Sequence, residues 1–278
     1  MPSVTYPISA MQNTATTIPS TSTLRALVKC LLFLVVTAVL FLPVVILWGL
    51  ALEKIRANVV RLYYYLIGRI SGLRYTVEGT VSPLRPLMLV ANHSSYLDIF
   101  VLGSIVPLSF TPKLEIRSWP IIGFFCVLGD CVFIERKPAD MQRAQAEMSA
   151  RLNTGKVLAL FPEGTTGDGF NVMPFKSGFL NLVEAHDLPL QPLSIAYTHI
   201  GDMPLSAATR EQVAWIGEAS FGAHFWRLLK FPSVSVHVTC YEVERISSYE
   251  DRKALAKACE TIIRGGLMKT LEARGVAS

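Results

Sequence analysis

Two short apolar runs each lead directly into a polar, turn-forming segment, and this pattern constrains the fold more than any other feature. The first run is Leu87–Ala91 and the second covers residues 158–161. Strands without polar residues on either face are typical of sheets covered on both sides. In α/β folds, functional side chains gather where such strands end. The sequence therefore predicts an α/β domain with its site at these two strand ends.

The segment after the first run holds a histidine and an aspartate at a spacing suited to contact. His93 lies in the predicted turn, and Asp98 lies near the start of a helix predicted over residues 96–105, where the helix dipole favours a carboxylate. Such an aspartate can fold back onto one imidazole nitrogen and make the other nitrogen a better base. The alternative is an ordinary surface loop, where both residue types are common. The second polar strand end, at residues 162–166, favours a functional site.

The remaining pattern predicts a mixed, largely covered sheet flanked by helices, preceded by a membrane-associated helical segment. We divide the chain into a disordered tail over residues 1–24, a membrane anchor with an interfacial helix over 25–74, and a main domain over 75–278. The predicted strands cover residues 75–78, 87–91, 108–111, 131–134, 157–161, 189–196, 213–217 and 233–241. The predicted helices of the main domain cover residues 96–105, 119–128, 139–153, 178–185, 223–229 and 249–274.

Residues 30–52 form an uncharged run that is long enough to span a bilayer. A cleaved signal peptide is the poorer interpretation, because the run is too long and no small-residue cleavage site follows it. Pro43 leaves open a second alternative, two short helices that lie in the interface or enter one leaflet. More basic residues follow the run than precede it, which predicts that the main domain faces the cytoplasm. The membrane is expected to be a bacterial inner membrane.

The next segment, residues 56–70, interleaves apolar residues with Arg61 and Arg69 and contains three successive tyrosines at positions 63–65. Tyrosines and basic residues of this kind fit a helix at the level of the lipid head groups. A core-packing amphipathic helix has a similar pattern and is the alternative.

Composition supports membrane association and an anionic partner. Hydrophobic residues make up 51% of the chain and charged residues only 17%, against about 25% charged residues in ordinary soluble domains. The net charge of +5 suits an anionic bilayer or an anionic substrate. Nucleic acid is not a predicted partner, because no dense basic patch or nucleic-acid-binding motif occurs. The five cysteines are scattered without metal-type pairing, and no metal site is predicted.

Three further clusters lie at predicted strand ends. They cover residues 133–136, residues 161–165 with Lys176 further on, and residues 189–192. Arg136 offers a planar fork for phosphate or carboxylate, although a surface ion pair with the preceding Glu135 is an alternative. Gly164 allows the backbone to approach a ligand closely, or it simply ends the strand in a turn.

Several other chemistries are excluded by spacing. The chain has no Gly-x-Ser-x-Gly nucleophile elbow and no His-Glu-x-x-His zinc motif. The glycines at 164 and 169 begin a phosphate-loop pattern, but Phe170 stands where that loop requires lysine. What remains is a base with an orienting acid, a site for an anion and a membrane anchor. Such a base can take a hydroxyl proton during attack on an activated acyl donor.

Four motifs occur in order along the chain, and together they resemble the glycerolipid acyltransferase family over residues 75–245. They are Asn92-His93-x4-Asp98, Phe133-Ile134-Glu135-Arg136, Phe161-Pro162-Glu163-Gly164-Thr165 and Leu190-Gln191-Pro192. The resemblance implies that residues 75–278 form an acyltransferase domain. It also implies transfer of an acyl group from acyl-CoA or acyl carrier protein to a lysolipid hydroxyl, without a further cofactor.

The same resemblance implies roles for individual residues. His93 would be the general base and Asp98 would orient it. A second group would bind the acceptor, and its members are Arg136, Glu163, Gly164, Thr165, Lys113 and Lys176. Where this chain has Glu135 the family often has aspartate, so that side chain is assigned no role.

The acceptor is predicted to be 1-acyl-sn-glycerol-3-phosphate, because this acceptor is the commoner one in the family. However, residues 161–169, 174–177 and 214–217 are more similar to the bacterial branch that acylates lyso-ornithine lipid. A transacylase that uses a phospholipid donor without CoA is another alternative. A catalytically silent lipid-binding scaffold on the same fold is the alternative from a different class, and an intact His93 and Asp98 favour the enzyme.

Overall fold

The computed structural model describes residues 20–119, 122–135, 138–217 and 219–276, without the side chains of 138–141. Most of the predicted tail and the candidate binding residue Arg136 therefore lie outside the described residues.

The described residues form one mixed sheet with the strand order β1-β6-β4-β2-β3. The strands are β1 (Leu73–Glu78), β2 (Leu87–Ala91), β3 (Val157–Leu160), β4 (Leu190–Ile200), β5 (Met203–Pro204) and β6 (Val234–Cys240). β2 is parallel to both β3 and β4, and β1 is parallel to β6. β6 is antiparallel to β4, which also pairs with the short β5. The predicted mixed sheet is confirmed.

β2 has paired strands on both sides, and both of its faces are covered, which accounts for its unbroken apolar sequence. All five of its residues are almost fully buried. Because β2 and β3 run parallel, their carboxyl ends lie at the same edge of the sheet. The polar segments that follow these two strands therefore meet at that edge.

Within the described part of the chain, eight α-helices surround the sheet. They are α1 (Thr23–Gly49), α2 (Glu53–Ser71), α3 (Leu97–Ile105), α4 (Ile122–Leu128), α5 (Pro138–Asn153), α6 (Asn181–His186), α7 (Phe221–Leu229) and α8 (Arg252–Ala273). Short 3-10 helices cover Leu114–Ser118, Ser177–Leu180, Arg210–Gln212 and Ile246–Ser248. α8 packs on β4, whereas α2 packs against α3 and β1.

Three predicted strands are absent. Residues 108–111 and 131–134 are extended, but each contributes only an isolated bridge, through Ser109 to β3 and through Ile134 to Lys113. Residues 213–217 turn instead, because the backbone amides of Val213 and Ala214 bond back to the carbonyl of Arg210. Most of the apolar residues of these segments are buried by loop packing, which periodicity does not distinguish from strand pairing.

α1 is long and apolar enough to cross a membrane, and it continues unbroken through Pro43. It nevertheless lies against the rest of the protein along much of its length. Near its start, Arg25 Nη1 donates to the carbonyl of Lys230 at 2.8 Å, and Lys29 Nζ donates to that of Phe231 at 2.8 Å. Towards its end, the Phe41 ring stacks on Phe124 with centroids 5.0 Å apart.

The other side of α1 exposes a set of large apolar side chains. Among them are Leu24, Leu27, Leu31, Val39, Leu42, Ile46 and Trp48. An apolar face of this size marks a contact with lipid or with another protein.

Asn92 extends the pairing of β2 with β4 beyond the last backbone pair. Its side-chain Nδ2 donates to the carbonyl of Ile195 at 2.9 Å, and its Oδ1 accepts from the amide of Ile195 at 2.8 Å. The side chain is 2% exposed, so no bulk water competes for these two bonds. The first residue after β2 is thereby fixed, and the turn that carries His93 begins from a defined position.

We expect Asn92→Ala to lower the free energy of unfolding by about 2–4 kcal/mol, because two buried backbone groups lose their partners. Asn58→Ala is the control, since the Asn58 amide bonds to the Lys54 carbonyl on an exposed helix face and should cost less than about 0.5 kcal/mol. Denaturant unfolding in detergent measures both. Equal costs would contradict the structural role of Asn92.

Candidate active site

The turn after β2 and the start of α3 hold His93 and Asp98 together. His93 Nδ1 lies 2.7 Å from Asp98 Oδ2, so the predicted contact is present. The Asp98 side chain is fully buried, whereas that of His93 is 19% exposed. The histidine is therefore the member of the pair that can reach a substrate.

Asp98 accepts three further hydrogen bonds. Oδ2 also receives the backbone amides of Ser94 at 2.9 Å and Ser95 at 3.1 Å, and Oδ1 receives the hydroxyl of Tyr197 at 2.6 Å. Burial raises the pKa of Tyr197 well above its usual value, so its hydroxyl keeps the proton that it donates. Four donors around one carboxylate compensate the cost of burying it.

This arrangement determines the tautomer of His93. A carboxylate only accepts hydrogen bonds, so Nδ1 carries the proton, and in the neutral form of the ring the lone pair is on Nε2. Among the residues that the structure describes, none hydrogen-bonds to Nε2. The site therefore presents a base at Nε2 whose orientation is fixed from the other side of the ring.

Two aromatic rings hold the imidazole plane. The Phe161 ring stacks on His93 with centroids 4.0 Å apart and planes 14° apart. Phe110 in turn lies parallel to Phe161 at 6.5 Å. The imidazole is thus fixed by a hydrogen bond in its plane and by an apolar contact on its face.

Glu163 fixes the backbone of the turn that carries His93. Its Oε1 accepts the backbone amide of His93 at 2.7 Å, and its Oε2 accepts that of Met173 at 2.9 Å. The residue is 2% exposed. Burial raises the pKa of Glu163 to about 7, although the two amides act in the opposite direction. Both carboxylate oxygens are occupied by the protein backbone, so Glu163 positions His93.

The other predicted binding residues are distributed around this centre. Gly164 adopts a positive φ of 73°, and a β-carbon there would lie 2.9 Å from Lys176 Nζ. Thr165 is exposed on the same turn. Lys113 is 60% exposed and pairs with Glu115 at 3.7 Å. The role predicted for Arg136 stays a prediction, since the residue lies outside the described part of the chain.

Gln191 belongs to the cluster at residues 189–192, and its side chain hydrogen-bonds only to backbone groups. Its side chain bonds to the amide of Ser82 and to the carbonyls of Thr80 and Tyr241, at 2.8 to 2.9 Å. It therefore ties strand ends together rather than facing a ligand.

Sequence reasoning assigned no individual role to several residues at the site. Tyr197 lies on β4, where nothing in the local pattern marks it. Thr166 donates to the carbonyl of Trp215, and the amide of Trp215 donates to the carbonyl of Ser94 at 2.8 Å. These bonds join three distant segments beside His93. Across the described ranges, no group of three or more His, Cys, Asp or Glu residues is arranged to hold a metal ion.

The family model described as Acyltransferase matches residues 74–196, which include both strand ends of the site. The lyso-ornithine lipid O-acyltransferase of Brucella abortus is 33% identical over 222 residues, 77% of this chain and 83% of that protein. The chain belongs to the glycerolipid acyltransferase family. The protein is therefore an acyltransferase, and the predicted family and enzyme class are confirmed.

A second relative and a solved structure are also similar to this chain. The 1-acyl-sn-glycerol-3-phosphate acyltransferase of Neisseria gonorrhoeae is 29% identical, over 71% of this chain and 76% of that protein. The crystal structure of the 1-acyl-sn-glycerophosphate acyltransferase of Thermotoga maritima has a TM-score of 0.63 and covers 88% of this chain and 97% of its own. At 19% identity it shows a shared fold.

The buried Glu163 of this acyltransferase predicts a pH-dependent stability. Because its pKa is raised from 4.5 to about 7, the folded state favours the protonated form. The stability linked to that proton is complete below about pH 4.5 and is lost as the pH rises through about 7. Between pH 5 and pH 8, wild type should therefore lose up to about 3 kcal/mol relative to Glu163→Gln. Denaturant unfolding at both pH values measures this difference, and parallel pH profiles would contradict it.

Proposed function

We propose that this acyltransferase transfers a fatty acyl group from a thioester donor, acyl-CoA or acyl carrier protein, to the free hydroxyl of lyso-ornithine lipid. The observation that carries the chemistry is the His93–Asp98 pair, which leaves Nε2 available as a base. The acceptor hydroxyl is too weak an acid to attack a thioester unaided, and a positioned base removes its proton in the transition state.

In this reaction His93 transfers the proton of the acceptor hydroxyl to the departing thiolate. His93 Nε2 takes the hydroxyl proton as the oxygen attacks the thioester carbonyl, and Asp98 stabilises the imidazolium through Nδ1–H. The C–S bond then breaks, the imidazolium returns the proton to the departing thiolate, and the new ester is released. No serine or cysteine among the described residues hydrogen-bonds to Nε2, which favours direct attack without an acyl-enzyme.

Two observations favour lyso-ornithine lipid as the acceptor. The relative from Brucella abortus that carries this name is more similar to the chain than the Neisseria gonorrhoeae relative named for the glycerol phosphate substrate. In addition, two of the stretches that resemble the lyso-ornithine branch, residues 161–169 and 214–217, contact each other at the site through Thr166 and Trp215.

Lysophosphatidate is the second candidate acceptor, supported by the names of the relative from Neisseria gonorrhoeae and of the solved structure from Thermotoga maritima. The predicted fork of Arg136 suits a phosphate and a carboxylate equally. Initial rates of the purified protein with each lysolipid, at a fixed concentration of labelled acyl-CoA or acyl carrier protein, decide between the two. A higher kcat/KM with lysophosphatidate would overturn the proposed acceptor.

His93→Ala should abolish turnover while the protein stays folded, and Asp98→Asn should lower kcat by about 10²–10⁴ because tautomer control is lost. His237→Ala is the matched control, since this histidine also faces a carboxylate, Glu78 at 3.2 Å, but lies on β6. Steady-state rates with the preferred lysolipid measure the effect. Substantial activity of His93→Ala, or a trapped covalent acyl-enzyme, would contradict the mechanism.

The membrane position follows from α1 in the same proposal. Because α1 is held against the protein near both ends, it lies along the domain with its apolar face in the cytoplasmic leaflet of the bacterial inner membrane. We expect Leu31→Glu with Leu42→Glu to shift the protein from the membrane fraction to the soluble fraction, because both side chains are exposed on that face. Leu84→Glu, at an exposed leucine outside α1, is the control.

Two results would contradict this membrane position. One is full membrane retention of the double α1 variant. The other is digestion of the catalytic domain by protease added outside intact spheroplasts.

A further inference from the structure

A small pocket lies beside the His93–Asp98 pair. Among its lining residues are Ser94, Asp168, Phe170, Tyr197 and Arg210. Two of these, Ser94 and Tyr197, also donate to Asp98. The pocket wall and the catalytic pair therefore share the same hydrogen-bond network.

The pocket contains one cation and one anion, paired through a single bond. Arg210 Nη1 lies 3.2 Å from Asp168 Oδ2, and each side chain is 34% exposed. Asp168 Oδ1 accepts the backbone amides of Phe170 at 3.0 Å and Asn171 at 3.3 Å, which fixes the carboxylate at the turn. Arg210 Nε is buried and has no hydrogen-bond partner among the described residues. Because the side chain is 34% exposed, another part of the guanidinium group remains open to a ligand.

Ser94 supplies a second unpartnered group. Ser94 is 1% exposed, and its Oγ has no hydrogen-bond partner among the described residues. The hydroxyl faces Gly169, where a β-carbon would lie 3.7 Å from Ser94 Oγ. Ser94 and Gly169 both line the pocket, and the absence of a side chain at Gly169, which adopts a φ of 82°, leaves space next to the Ser94 hydroxyl. A buried polar group without a partner is costly, so a polar ligand at this position would be stabilising.

We propose that this pocket binds a zwitterionic amino-acid head group of the acceptor, with Arg210 contacting its carboxylate and Asp168 contacting its ammonium group. This inference rests on the proposed function and names the residues that recognise the head group. The remaining lining residues include Phe170, Val213 and Ala214, which suit the aliphatic stem of ornithine. Ser94 directly follows His93, about 3.8 Å away along the chain, so a head group here leaves the acceptor hydroxyl close to the base.

Asp168 also provides selectivity against a phosphate. A phosphate monoester bound to Arg210 would bring its negative charge next to the Asp168 carboxylate, and like charges at such distances are unfavourable. A zwitterion instead pairs each of its charges with the opposite charge of the pocket. The pair Asp168–Arg210 therefore distinguishes the two candidate acceptors, which a single arginine does not.

The test compares Asp168→Asn, Arg210→Gln and wild type with lyso-ornithine lipid and with lysophosphatidate. Asparagine can still accept the amides of Phe170 and Asn171, so this variant removes charge and keeps the turn. Asp168→Asn should raise KM for lyso-ornithine lipid by about 10-fold or more and lower KM for lysophosphatidate. Arg210→Gln should raise KM for lyso-ornithine lipid by a similar factor with a smaller effect on kcat.

Arg252→Gln is the matched control. Arg252 pairs with Glu184 at 2.6 Å, has a similar exposure and also has a buried Nε without a hydrogen bond, but it does not line the pocket. It should change neither KM. Wild-type KM values in both pocket variants, or an equal rise for both lysolipids in Asp168→Asn, would overturn the pocket assignment while the proposed function stands. A wild-type protein that acylates only lysophosphatidate would overturn both.

Discussion

The hydrogen bonds to the buried carboxylate of Asp98 are the interactions on which the rest of the site depends. Its charge is excluded from water, and such burial is tolerable only when every lone pair has a partner. The partners come from the turn after β2 and from Tyr197 on β4. One carboxylate thereby joins the start of a helix to two parallel strands. The orientation of His93 is a consequence of that arrangement, because its ring completes the set of donors.

The sequence predicted the local parts of this arrangement well. The bounds of β2 agree with the prediction because its unbroken apolar pattern reflects burial on both faces. The His93–Asp98 contact could be predicted because only five positions separate the two residues. Tyr197 could not be predicted, since it is 99 positions away from Asp98 and its neighbours on β4 show no distinguishing pattern. Long-range partners of this kind depend on strand order, which local periodicity does not encode.

The different roles of Glu163 and Asp168 could not be predicted from the sequence either. Glu163 and Asp168 lie five positions apart after the same strand, and a sequence presents them as equivalent carboxylates. In the fold, Glu163 is enclosed by backbone amides and holds His93, whereas Asp168 reaches the pocket and faces Arg210. The apolar residues at 213–217 predicted a strand because pocket walls and buried strands require the same side chains. Solvent access and hydrogen-bond partners, rather than residue type, distinguish Glu163 from Asp168 and a pocket wall from a buried strand.

The docking of α1 also has a consequence for the order of events during synthesis. Arg25 is held by the carbonyl of Lys230, which is 205 positions later in the chain. At about 5–20 residues per second, a ribosome needs roughly 10–40 s to cover that distance. Throughout this interval the apolar helix exists without the surface that will receive it, and the bilayer is the apolar environment at hand. In the membrane position that we propose, the helix therefore meets lipid before the rest of the domain has finished folding.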